Sequence, residues 1–195
     1  MPEEWIEDPV LRQRFSFRRE TDESGADVLH VDTWVDPGGG VTPHVHPAME
    51  ERFTVLEGEA SFLGGRSWQT AKAGETVVVP AGTRHAYRNE SERPAHIVCE
   101  ARPPSTLQPF LEDTAALSRA GKITTHGIPK GIDALLAGAV LADGYREMVT
   151  LGFPPMPPAP LQRLLFGPLA RLGERRGYRP GHFAEVLEGE AAGAG

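Results

Sequence analysis

Between residues 13 and 102 apolar and polar positions alternate in short runs broken by glycine, proline and acidic turns, with no helical period among them. The run DVLHVDTWV (27–35) alternates and is β-branched, and the proline and glycines of VDPGGGVTP end it. ERFTVLEG, ASFLGG, RSWQTA, ETVVVPAG, HAYRN and AHIVCEA follow at close spacing. At least seven such strands predict an antiparallel sandwich or barrel. The pattern changes at RPPSTLQPF. Beyond it, LQPFLEDTAALSRAGK (107–122), IDALLAGAVLADGYREM (132–148) and APLQRLLFGPLARLGERRGY (159–178) set leucine, alanine and phenylalanine at helical intervals. The last of these helices is expected to be interrupted at its Gly-Pro pair. The proline-rich FPPMPPAP (153–160) reads as a linker, and EGEAAGAG (188–195) as a fraying tail. The chain therefore divides into a mainly β part, 1–104, and a helical extension, 105–195, expected to pack on the barrel or on a partner subunit.

Composition narrows the function classes. A chain of 195 residues with 39% apolar and 24% charged positions is an ordinary globular protein with room for one main core and an appendage. Twenty basic against 27 acidic residues, a formal charge of −7, argues against nucleic acid and against anionic lipid as partners. The longest apolar-rich stretch, LLAGAVLA (135–142), is too short to span a bilayer. The lone cysteine, Cys99, leaves no intrachain disulfide and suits a reducing compartment, so a cytoplasmic protein is expected.

The chemistry concentrates in TPHVHPAMEERFTVLEG (42–58). Alternation directs His44 and His46 to one face, and parity with Phe53 and Val55 makes Glu51 the inward carboxylate and Glu50 the solvated one. Two imidazoles and a carboxylate in an apolar interior are costly unless a cation pairs them. GETVVVPAGTRHAYRN (74–89) offers a further ligand: Pro80 and Gly82 make a sharp turn that delivers His85 to the start of a strand, on one face with Tyr87 and Asn89. Asn89 is expected to satisfy backbone groups near that turn. His96 and Cys99 fall on opposite faces of AHIVCEA, and Cys99 reads as a buried thiol. His30 reads as an ordinary strand histidine, and His126 and His182 carry no role. Trp34 and Trp68 are left open between core and cavity lining.

These two stretches resemble the paired motifs of the cupin superfamily. The first, Gly, five residues, His-x-His, three or four residues, Glu, six residues, Gly, is met at Gly38, His44, His46, Glu51 and Gly58. The second, Gly, five residues, Pro-x-Gly, two residues, His, three residues, Asn, is met at Gly74, Pro80, Gly82, His85 and Asn89. The resemblance covers about residues 25–102 and implies a double-stranded β-helix, or jelly roll. In it His44, His46, Glu51 and His85 hold one divalent transition metal (Fe, Mn, Ni, Cu or Zn) with positions left open. The helical half is similar to the extension of a group of uncharacterised bacterial single-cupin proteins. By this resemblance the chain is expected to be a metal-dependent enzyme of dioxygenase type acting on a small organic molecule, with an isomerase or decarboxylase as related possibilities. Glu51 would double as a base, and Phe53 and Tyr87 would line the substrate pocket. The alternative is a non-catalytic cupin that binds or senses a small ligand. Either protein is expected to be a homodimer without nucleic acid or stable membrane insertion.

Overall fold

A computed structural model of the chain describes residues 5–124, 128–152 and 158–187. His126, most of the proline-rich run and the tail from 188 onward lie outside these residues. Ten strands come first: β1 (Ile6–Asp8), β2 (Gln13–Thr21), β3 (Asp27–Val35), β4 (His44–Val45), β5 (Glu50–Glu57), β6 (Glu59–Gly64), β7 (Ser67–Lys72), β8 (Thr76–Val79), β9 (Arg84–Arg88) and β10 (Ala95–Arg102). The helices α1 (Leu107–Arg119), α2 (Gly131–Gly144) and α3 (Ala159–Glu174) follow, with a two-residue strand, β11 (Thr150–Leu151), between the last two.

Two antiparallel sheets make the barrel, one in the order β1-β2-β3-β10-β5-β8 and the other β11-β4-β9-β6-β7. The alternation in β3 shows how the sequence selects the inner face. Leu29, Val31, Thr33 and Val35 are buried, while His30, Asp32 and Trp34 between them face outward and are only half-buried. Both sheets contribute to one core, with Phe15, Val55 and Ile97 from the first meeting Ala60 and Phe62 from the second. Full burial of each large side chain contributes about 1.5–3 kcal/mol. Neither Trp34 nor Trp68 joins the core: Trp34 stacks on His96 at 4.3 Å on the outer face, and Trp68 is exposed under the Arg88 guanidinium.

The loop before β4 depends on glycine. Gly38 N–H donates to Asn89 O, Asn89 N–H to Gly39 O and Val41 N–H to Tyr87 O, at 2.8–2.9 Å. Gly40 has φ +148°, and a Cβ there would overlap the Tyr87 carbonyl and come within 2.7 Å of Arg88 Cα. Gly40→Ala is therefore expected to cost about 2 kcal/mol, a Tm fall of roughly 4–8 °C in thermal melts. An unchanged Tm would mean that this loop is not tied to β9.

The helical part departs from the periodic pattern in two places. The run expected to be helical through 148 stops at Gly144, where Pro180 occupies the space a side chain would take. Conversely, α3 runs straight through Gly167 and Pro168 instead of breaking there. An interior proline costs a helix about 3 kcal/mol. The packing of α3 on α2 offsets it: Gly173 lets Val140 and the Leu136 carbonyl approach the α3 backbone, and Gln162 and Ala170 are buried beside it. The opposite face of α3 leaves Leu161, Leu164, Leu165 and Leu172 exposed. Among the described residues no helix is long and apolar enough to cross a membrane.

The division at residue 104 separates strand text from helix text, but the core crosses it. Leu107, Ala115, Tyr145, Met148 and Val149 belong to the same buried cluster as the barrel residues. A second cluster joins Ala116 and Leu117 of α1 to Ala137, Val140, Ala170, Tyr178 and Phe183. Two faces of α1 thus serve two cores.

Candidate metal centre

β4 lies between β11 and β9, with His44 directly opposite His85. The Pro80–Thr83 turn closes through Thr83 N–H to Pro80 O at 3.1 Å, with Gly82 at φ +77°. Gly82 N–H then donates to His46 O at 2.8 Å, so the turn of the second motif holds the backbone of the first. Across the barrel, Glu51 on β5 is paired with Ala101 and Val79 and points inward, whereas Glu50 is exposed. The ring centroids of His44, His46 and His85 lie 4.2–5.3 Å apart. One potential ligand atom from each of His44, His46, Glu51 and His85 lies within 4.8 Å of all the others.

The hydrogens of the imidazoles are committed elsewhere. Nδ1 of His44 meets Thr42 O at 2.8 Å, Nδ1 of His46 meets Met148 O at 2.8 Å, and Nδ1 of His85 meets Thr83 O at 2.9 Å. A carbonyl only accepts, so each Nδ1 carries the hydrogen and each neutral ring presents an Nε2 lone pair. Three lone pairs and a carboxylate then converge. His46 Nε2 is 3.6 Å from Glu51 Oε1, and His85 Nε2 is 2.7 Å from Glu51 Oε2 without hydrogen-bond geometry. His46, Glu51 and His85 are only 2%, 5% and 2% exposed, and His46 Nε2, Glu51 Oε2 and His85 Nε2 have no hydrogen-bond partner among the described residues. Orphaned buried acceptors of this kind are rare and costly.

Burial, assisted by the neighbouring rings, drives the His44 pKa down to about 3, and burial likewise lowers His46. Burial pushes the Glu51 carboxyl up, but the close His85 ring and the other two histidines outweigh it and hold the group at about 2. For His85 burial works downward and the Glu51 carboxylate more than reverses it. An ionised carboxylate beside neutral rings is the form in which these residues ligate a metal, and burial favours the neutral form at His44 and His46. Three imidazoles and one carboxylate fit a single first-row divalent transition ion.

Around the cluster stands an aromatic wall. Phe53 lies 6.4 Å from the His85 ring, 5.4 Å from Phe62 and 5.9 Å from Tyr87. The Tyr87 hydroxyl donates to Gln13 Oε1 at 2.7 Å, and burial raises its pKa. Cys99 is buried, opposite Phe53 in register, and its thiol reaches Glu51 Oε1 at 3.7 Å, while His96 faces outward onto Asp32 at 2.6 Å. Asn89 is fully buried and spends its amide on Val35 O and Arg93 O and its carbonyl on Ser91. His30, on the outer face, meets Glu20. Sequence reasoning missed Phe62, Gln13 and Met148 as neighbours of the site. Strand parity alone supplied a signal for Phe62, whose side chain shares the inner face with Ala60.

Residues 33–99, the stretch that carries all the candidate ligands, match the Cupin domain family. Among solved structures, the chain is similar to an uncharacterized conserved protein with a double-stranded β-helix domain from Klebsiella pneumoniae, at 26% identity, over 47% of this chain and 76% of that one, with a TM-score of 0.41. It is also similar to oxalate decarboxylase from Bacillus subtilis (21% identity, 51% and 27% of the two chains, TM-score 0.43). KdgF from Halomonas sp. is a third (19% identity, 51% and 86%, TM-score 0.44). No curated protein matches the chain in sequence. With the motif spacing, the two-sheet barrel and the domain match over the same strands, residues 33–99 are a cupin domain.

Proposed function

We propose that His44, His46, Glu51 and His85 bind one divalent transition metal and that the chain is a metal-dependent enzyme of dioxygenase type acting on a small organic molecule. One observation carries the reading: three ring lone pairs and a carboxylate converge in a buried site with every Nδ1 hydrogen already used by a backbone carbonyl. With the rings neutral, the cluster supplies no hydrogen to His46 Nε2, His85 Nε2 or Glu51 Oε2. Bound there, iron, manganese, nickel or copper supplies Lewis acidity and redox chemistry toward oxygen, and zinc the Lewis acidity alone.

The chain's own residues do the rest. Glu51, flanked by His46, His85 and the Cys99 thiol, is the anionic donor and the group placed to accept a proton from an enol or phenol hydroxyl. Phe53, Phe62 and Tyr87 exclude water and favour a flat, apolar substrate body. With its hydroxyl hydrogen held by Gln13, Tyr87 acts as part of that wall.

The test is elemental analysis of protein purified without a chelating tag, followed by oxygen uptake with a panel of enolic and phenolic compounds. About one equivalent of iron, manganese, nickel or copper per chain with substrate-dependent uptake is expected. No metal, and none taken up on reconstitution, would overturn the metal site. Bound metal with a retained ligand and no turnover would assign the chain to the binding modules.

A further inference from the structure

We infer that the turn and short strand after α2, residues 145–151, act as a positioning element of the metal centre, with Met148 O fixing the tautomer of His46 and the Tyr145–Asp113 pair fixing Met148. The inference rests on the metal reading above. His44 and His85 take their Nδ1 partners from carbonyls two residues earlier in the chain, so those contacts form with the strands themselves. His46 is different: its partner is 102 residues away, in the extension. One of the three histidine ligands is thus oriented by a part of the chain outside the barrel motifs.

Several bonds hold that carbonyl. Met148 N–H and Val149 N–H both donate to Tyr145 O at 2.9 Å, closing the turn. Thr150 and Leu151 pair with Val45 and His44, and Gly152 N–H donates to Pro43 O at 2.9 Å. The Arg84 guanidinium in turn donates to Gly152 O. The Met148 and Val149 side chains are 4% and 8% exposed, packed in the barrel core. Behind the turn, the Tyr145 hydroxyl donates to Asp113 Oδ2 at 2.7 Å. The same carboxylate accepts Gly181 N–H at 2.7 Å and Phe183 N–H at 3.1 Å. Hydrogen bonds and one tight turn therefore run from the C-terminal segment, through α1, to a metal-facing imidazole. Loss of an outer partner of a ligating histidine costs about 10–100-fold in metal affinity.

The test uses the full-length metal-free protein titrated with cobalt(II), with the histidine ring nitrogens followed by 15N NMR. In the wild type, His46 is expected to carry its hydrogen on Nδ1. Val149→Pro removes one bond of the turn and restricts Met148; it is expected to weaken cobalt binding about 10–100-fold and to mix the His46 tautomers. Tyr145→Phe shifts both readouts in the same direction by less. Leu164→Ala, on the exposed face of α3, leaves both unchanged. A wild type that binds no cobalt overturns the metal reading and this inference with it. Wild-type binding with equally tight binding by Val149→Pro and Tyr145→Phe overturns this inference alone. Should Val149→Pro fail to fold, the wild-type tautomer decides, because a hydrogen on His46 Nε2 is incompatible with the proposed role.

Discussion

Glu51→Gln is expected to empty the metal centre while the barrel stays folded. The substitution conserves volume and leaves the inward position on β5 filled, so packing beside Ala101 and Val79 changes little. It removes the one anionic donor of the set. The amide also brings a donor to within reach of His85 Nε2, which now lies 2.7 Å from Glu51 Oε2, and a hydrogen bond there occupies the lone pair a metal needs. Affinity should fall by more than the roughly 100-fold that loss of an outer partner can cost, which is above about 2.8 kcal/mol. Competition titration and metal per chain measure it. The exposed neighbour provides the control: Glu50→Gln should keep full occupancy. Unchanged occupancy in Glu51→Gln would remove Glu51 from the ligand set.

The second large effect is on stability. Asp113 sits mid-helix in α1, only 2% exposed, and accepts from the Tyr145 hydroxyl and from two backbone N–H groups of the C-terminal turn. Asp113→Ala leaves these donors without an acceptor. Unsatisfied buried donors cost about 1–3 kcal/mol each, so a loss of about 3 kcal/mol or more is expected, a Tm fall of roughly 6–12 °C for a chain of this size. The segment around Tyr178 and Phe183, 1% and 0% exposed, should become the first site of proteolysis. Asp113→Asn retains an acceptor and should lose less. A change below about 1 kcal/mol in Asp113→Ala would show that apolar packing, and not this carboxylate, secures the segment.

Much of the barrel and the candidate ligand set was legible in the chain. The alternation in β3 and β10 identifies the inner face, because a strand has a period of two and a buried face must be apolar. The same parity separates Glu51 from Glu50, and it sets Cys99 inside and His96 outside. Glycine and proline at fixed offsets mark the turns that bring β4 beside β9. Local chemistry of this kind repeats at short range, which is why spacing reveals it.

Other features have no sequence signature. The end of α2 was unreadable because Tyr145, Arg146, Glu147 and Met148 are all acceptable in a helix; the stop comes from Pro180 against Gly144 and from Tyr145 turning toward Asp113. The continuity of α3 through Pro168 was equally hidden, since packing against α2 overrides propensity there. β11 is too short to show alternation and exists only because the edge of β4 is there to pair with. The amino-acid sequence determined the barrel, its turns and the identities of the four candidate ligands, because side-chain type and local spacing encode these directly. Only the tertiary structure decided which carbonyl orients His46. A backbone carbonyl is the same in every residue, and its place over the imidazole is set by contacts 102 residues away in the chain.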